Sequence, residues 1–163
     1  MNDTAMHFTA LGAIGWEHEH WLGAFYPEDL PEEWRLAYYA TQFDCVYLPH
    51  AHWARTAPET LETWAAETLE RFRFLLEHPP GALQPEETAR IAALGDRAVL
   101  LGPGENAWLI WFDAGSDLKA LAERIQEKGQ EAFAQGHRLY LLSLDAHLGR
   151  LEEVRTLLEV LGY

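Results

Sequence analysis
The apolar positions of the chain fall into short runs separated by helical stripes. Phe8 to Trp16 is small and apolar, with Gly12 and Gly15 allowing close backbone approach, and predicts a buried first strand. An aromatic and proline-bearing loop follows from Glu17 to Leu30, and Pro31 fits the first turn of a helix. In that helix Leu36, Tyr39, Ala40 and Phe43 recur at i, i+3, i+4 and i+7, forming one apolar stripe. Cys45 to Leu48 predicts a second strand, stopped by Pro49.

Pro58 opens another helix. Leu61, Trp64, Ala65, Thr68, Leu69, Phe72, Leu75 and Leu76 keep the helical period, and no breaker appears before Pro79-Pro80-Gly81. Pro85 to Leu94 predicts a short helix closed by Gly95. Arg97 to Leu101 and Ala107 to Phe112 predict strands around Gly102-Pro103-Gly104-Glu105-Asn106, a linker short enough for a hairpin. Ser116 is the expected N-cap of a helix reaching about Gln135, with Leu118, Leu121, Ala122, Ile125 and Phe133 inward, although Gly129 interrupts it. Leu139 to Leu144 predicts a last strand and Leu148 to Leu161 a last helix. Alternating strands and helices mean an α/β fold with five or six mostly parallel strands; a mixed sheet with a hairpin over 97–112 is the alternative. No linker is long enough to divide the chain, so residues 1–163 are expected to form one domain.

Composition narrows the function classes. With 48% hydrophobic and 23% charged residues, the chain reads as an ordinary globular protein. Its 12 basic and 26 acidic residues leave a formal net charge of −14, which repels phosphate backbones. Neither nucleic acid nor an anionic membrane surface is therefore an expected partner. Cys45 is the sole cysteine, so no intrachain disulfide can form, and its apolar run predicts a buried, inert thiol. Asp3 precedes the first apolar stretch without any Lys or Arg, unlike a signal peptide, and no run reaches the length of a membrane span. The expected location is cytoplasmic.

The order and spacing of Gly12-Ala13-Ile14-Gly15-Trp16, His20-Trp21, Gly23, Phe25-Tyr26-Pro27, Leu30-Pro31, Tyr38-Tyr39-Ala40 and Phe43 resemble the YecE-like family, domain of unknown function 72. Trp64 to Thr68 with Phe72-Arg73-Phe74 is similar to the family's third helix-to-strand passage. Leu94-Gly95-Asp96 with Val99 to Leu101 is similar to its fourth strand, and Tyr140 to Gly149 to its last. The resemblance implies a TIM-barrel-like fold, here truncated, since family members are longer and a barrel needs eight strands. It also exposes departures. Tyr47 and Pro49 stand where the family has Glu and Asn, and Glu77 where it has Lys. Leu69 and Arg71 stand for its helix-breaking Pro and Gly, and Ser143-Leu144-Asp145 for its Phe-Asn-Asn.

Ligands of parallel α/β folds sit at the carboxyl ends of strands. Those ends offer Glu17-His18-Glu19-His20, His50-Ala51-His52, Asp113, and Asp145 with His147. Converging imidazoles and carboxylates suit a divalent transition metal, and His18/His20 and His50/His52 would each present two nitrogens from an extended segment. The competing readings are structural. His20 then bonds its loop, Asp145 caps the last helix and Asp113 satisfies a turn. A metal-free pocket lined by Trp16, Trp21, Phe25, Tyr26 and Trp53 is the remaining option, against packing of that loop on the sheet. No zinc-ligand spacing such as His-Glu-x-x-His is present, and Gly102-Pro103-Gly104 lacks the Lys-Ser/Thr of a phosphate loop. The expectation that results is a non-catalytic binding or interaction module without a cofactor. Its ligand candidates are Trp16, His18, His20, Trp21, Tyr26, His50, His52, Asp113 and Asp145. The alternative is a metal-dependent hydrolase using the same His and Asp residues; a metal-free acid–base pair of Glu17 and His20 ranks third. Because a truncated barrel exposes sheet edges, a two-fold homodimer is expected, with a small molecule as a further partner.

Overall fold
The computed structural model describes residues 8–102 and 105–163. Six strands alternate with six α-helices among the described residues: β1 (Thr9–Ile14), α1 (Arg35–Gln42), β2 (Cys45–Leu48), α2 (His50–Arg55), α3 (Pro58–Glu67), β3 (Arg73–Glu77), α4 (Pro85–Leu94), β4 (Ala98–Leu101), β5 (Leu109–Phe112), α5 (Leu118–Ala134), β6 (Leu139–Ser143) and α6 (Leu148–Leu161). Every pairing is parallel, in the order β4-β3-β2-β1-β6-β5. Neighbours thus follow the cyclic order of a barrel, with the last strand beside the first and one break between β4 and β5.

The sheet is strongly curled. Tyr47 on β2 and Trp111 on β5 lie three strand spacings apart, roughly 14 Å in a flat sheet, yet their ring centroids are 5.0 Å apart. The concave face buries Ala10, Cys45, Leu75, Leu101, Leu109, Tyr140 and Leu142 as one cluster. Alternate residues such as Leu11, Ala13, Val46, Leu48, Phe74, Leu76, Ile110 and Leu141 point outward and pack beneath the helices. This is a half-barrel, a truncated TIM-barrel-like domain.

Three sequence expectations, and the hairpin alternative, are corrected. The helical period through Leu75 and Leu76 breaks at Glu67, and residues 73–77 form β3, in register with β2 from Cys45↔Arg73 to Leu48↔Leu76. A short apolar run fits both periods, and here Leu75 enters the concave core while Phe74 and Leu76 enter the convex one. Residues 97–112 form no hairpin, because β4 pairs with β3 and β5 with β6, at opposite edges. Curling nonetheless brings those edges together, since Leu101 and Leu109 share the concave cluster. Pro103 and Gly104 of the expected turn, and Asp3, lie outside the described residues. Finally, Asp117 rather than Ser116 caps α5, accepting the Lys119 N–H, and the inward-predicted Phe133 is 63% exposed.

One phenol holds the first two strands. The Tyr39 hydroxyl, fully buried on α1, accepts the Ala13 N–H at 2.9 Å and donates to the Cys45 carbonyl at 2.6 Å. It sits where a direct ladder bond between β1 and β2 would otherwise run. Burial, with Cys45 beside it, holds its pKa well above the ordinary phenol range. Burial likewise raises the Cys45 thiol, which suits the inert role its sequence context implied.

Candidate functional site
The mouth of the half-barrel is built by the carboxyl ends of β2, β3 and β4. An open cleft of about 560 Å³ lies there, lined by Tyr47, Glu77, His78, Pro79, Gly81, Leu101, Gly102 and Asn106. Alternation along β2 turns Cys45 and Tyr47 to the concave side, and Glu77 reaches it as the last residue of β3. Burial and the Glu77 carboxylate beside it raise the Tyr47 pKa, so the phenol stays protonated at neutral pH.

Glu77 also ties β3 to α2. Its Oε1 accepts the His50 N–H at 2.8 Å, where a helix N-terminus favours an anion, and its carbonyl accepts the Trp53 indole N–H at 3.0 Å. The His50 ring donates through Nε2 to Glu87 Oε2 at 2.5 Å, while Glu87 Oε1 accepts the Gln84 N–H at 2.8 Å and closes the capping box of α4. The Gln84 N–H first, and His50 second, hold the Glu87 carboxyl below the ordinary glutamate range. A carboxylate with a lowered folded-state pKa contributes stability above the unfolded-state value and loses it as pH falls through the folded one. Urea midpoints measured down an acid series should therefore fall less steeply for Glu87→Gln than for the native chain; identical slopes would remove Glu87 from the acid response.

The sequence candidates separate into local groups. His18 and His20 do lie side by side, ring centroids 5.7 Å apart, but His18 Nε2 donates to the Ile14 carbonyl at 2.8 Å and His20 Nε2 to the Ala146 carbonyl at 2.9 Å. Burial lowers the His18 pKa, its bonds to the Ile14 and Gly15 carbonyls opposing the shift. His50 and His52 are on helix α2 rather than an extended segment, so they diverge. His50 meets Glu87, whereas the His52 ring lies 5.9 Å from both Trp16 and Trp64. Burial lowers the His52 pKa as well, against the pull of Glu17.

The two aspartates serve turns. Asp113 Oδ1 accepts the Gly115 N–H and the Ser116 hydroxyl. Asp145 accepts from the Ala114 N–H, the His147 N–H and the Ser143 hydroxyl. Burial works against the Asp145 charge, but those hydrogen bonds outweigh it and hold its carboxyl below the usual range. The cap of α6 is His147, whose Nδ1 accepts the Arg150 N–H. Trp16, Trp21, Tyr26 and Trp53 are buried: Trp21 donates to the Ala146 carbonyl and Tyr26 to the Trp16 carbonyl. Among the described residues, no three His, Cys, Asp or Glu side chains gather as a metal-holding group.

His78 and Asn106 were absent from the candidates read at strand ends, and Tyr47 and Glu77 entered only as departures from the family pattern. Glu77 was hidden because β3 read as helix; Tyr47 was legible from its alternation with Cys45.

The model of the family described as "Protein of unknown function DUF72" matches residues 10–91, half of the chain. The chain belongs to the DUF72 family. The DUF72 match runs from β1 into α4, so it covers Tyr47, Glu77 and His78 but not β4, β5 or β6. No curated protein and no solved structure matches this DUF72 chain. No helix among its described residues is long and apolar enough to cross a membrane.

Proposed function
We propose that this DUF72 chain is a non-catalytic binding module that takes a small ligand in the mouth of its half-barrel. The observation carrying the proposal is the cleft of about 560 Å³. Its size falls within the range of small-molecule sites, and its lining combines the apolar Leu101 and Pro79 with Tyr47, Glu77, His78 and Asn106. Five of the carboxylates and imidazoles proposed for hydrolysis, Asp145, Asp113, His18, His20 and His50, are meanwhile engaged in scaffold bonds, and the His52 ring packs beside Trp16 and Trp64.

Ligand-observed NMR with a fragment library, mapped by amide shifts, tests this directly. Fragments are expected to shift residues 47, 77, 78, 101 and 106, and to lose affinity in Glu77→Gln and Tyr47→Phe. No fragment mapping to the cleft would overturn the binding proposal. Metal-dependent turnover of ester or amide substrates, with stoichiometric metal in untagged protein, would establish the hydrolase instead.

The proposal includes a two-fold homodimer, supported by β4 and β5, each with a strand neighbour on one side only among the described residues. Light scattering at micromolar concentration is expected to read twice the 18.6 kDa chain mass; a clean monomer would remove this part. The acidic surface supports a cytoplasmic setting without nucleic-acid or membrane partners.

A further inference from the structure
A second concavity lies away from the mouth, outside β1 and between α1 and α3. It measures about 300 Å³ and is lined by Trp16, Leu36 and Trp64, with Glu17, Glu32, Glu33 and Glu67 around them. The two indoles meet edge to face at 4.7 Å, and with Trp16 and Leu36 buried the aromatic surface open to the groove is that of the half-buried Trp64. The rim is wholly acidic. Glu17 is 3.6 Å from Arg35, whereas Glu32, Glu33 and Glu67 have no side-chain partner among the described residues. Packing stability asks for none of this: three carboxylates without side-chain partners that line one groove repel.

We infer that this groove docks a basic segment of a partner protein, with an arginine side chain laid over the half-buried Trp64 indole and its guanidinium held by the Glu33 and Glu67 side of the rim. The argument is charge complementarity joined to shape. A guanidinium stacks on an indole face and pairs with carboxylates at its edge, and the methylene stem covers apolar surface on the way in. Trp34, 60% exposed beside Glu32 and Glu33 in the same turn, adds an apolar contact at the approach. A net charge of −14 steers such a partner toward the chain, and the groove selects where it rests.

The probe is a short peptide alternating arginine and glycine, with its citrulline counterpart as the uncharged isostere, followed by tryptophan fluorescence and amide shifts. The arginine peptide is expected to shift Trp16, Trp64 and the rim residues, and the citrulline peptide to leave them unchanged. The double variant Glu33→Gln/Glu67→Gln should weaken binding about tenfold or more. Glu123→Gln/Glu127→Gln, on the exposed face of α5, removes the same charge elsewhere and should leave affinity within about twofold. Equal losses in the two double variants would overturn the docking site, reducing it to bulk attraction. Equal binding of the citrulline peptide would overturn the charge argument. Full displacement by equimolar spermidine would also overturn it, assigning the groove to a free amine rather than a protein segment. Unchanged circular dichroism spectra of both double variants confirm that affinity, not folding, is being read.

Discussion
Gly12→Ala is expected to yield no cooperatively folded chain, or one destabilised by about 3 kcal/mol or more. A Cβ at position 12 would stand 1.9 Å from the Cys45 carbonyl oxygen and 2.9 Å from the Tyr39 hydroxyl. The closer atom is main chain of the adjacent strand, so no side-chain rotation relieves the contact. Strands β1 and β2 would have to separate, which removes the Tyr39 bridge between Ala13 and Cys45 at the centre of the sheet. Thermal and urea unfolding of the purified variant reads the result. A melt within about 1 kcal/mol of the native chain would show that the strands part at little cost. Adding Tyr39→Phe should not rescue Gly12→Ala, because the carbonyl remains; recovery would place the clash on the hydroxyl.

The second large effect is expected at Trp21. Its indole is fully buried and touches Phe25, Tyr26, Tyr39 and Phe43, and its N–H donates to the Ala146 carbonyl at 2.8 Å. That contact ties the loop after β1 to the loop after β6, where Ala146 adopts a positive φ of 54°. Trp21→Ala should cost about 3–5 kcal/mol, a large part of the stability of an ordinary domain. Trp21→Phe keeps most of the packing and loses the donor, so about 1–2 kcal/mol is expected. The smaller loss also reflects His20, which continues to donate to the same carbonyl. A Trp21→Phe loss as large as that of Trp21→Ala would mean that the hydrogen bond, not the buried ring, holds the two loops together.

Elements whose local pattern admits one period were legible in the chain. The bounds of β2 and α6 agree with expectation, and the stripe of Leu36, Tyr39 and Ala40 faces the core from α1. The N-terminal motif carried the family, because its glycine, tryptophan and tyrosine positions are those of a close-packed strand and its covering loop. Elements with two admissible readings were not settled locally. Residues 69–76 keep a helical spacing, but Leu69 is 51% exposed and Leu75 is drawn into the concave core. Helix α2 was missed because His50–Arg55 is short and carries only Trp53 toward the core.

The candidate site divides in the same way. Strand-end histidines and aspartates were legible as residues, but their partners were not, because those partners are distant in sequence: Ala146 for His20 and Glu87 for His50. Their hydrogen bonds decide whether a side chain is available to a ligand, and only folded contacts supply them.

By itself the sequence determined the α/β alternation, the family and the net negative charge, since period, motif spacing and composition are read directly from the residues. Tertiary structure alone decided that β4 and β5 lie at opposite edges of a parallel sheet, that Tyr47 and Glu77 share one mouth, and that Trp16 and Trp64 share one groove. These relations arise from curvature, which brings together side chains that no local rule connects.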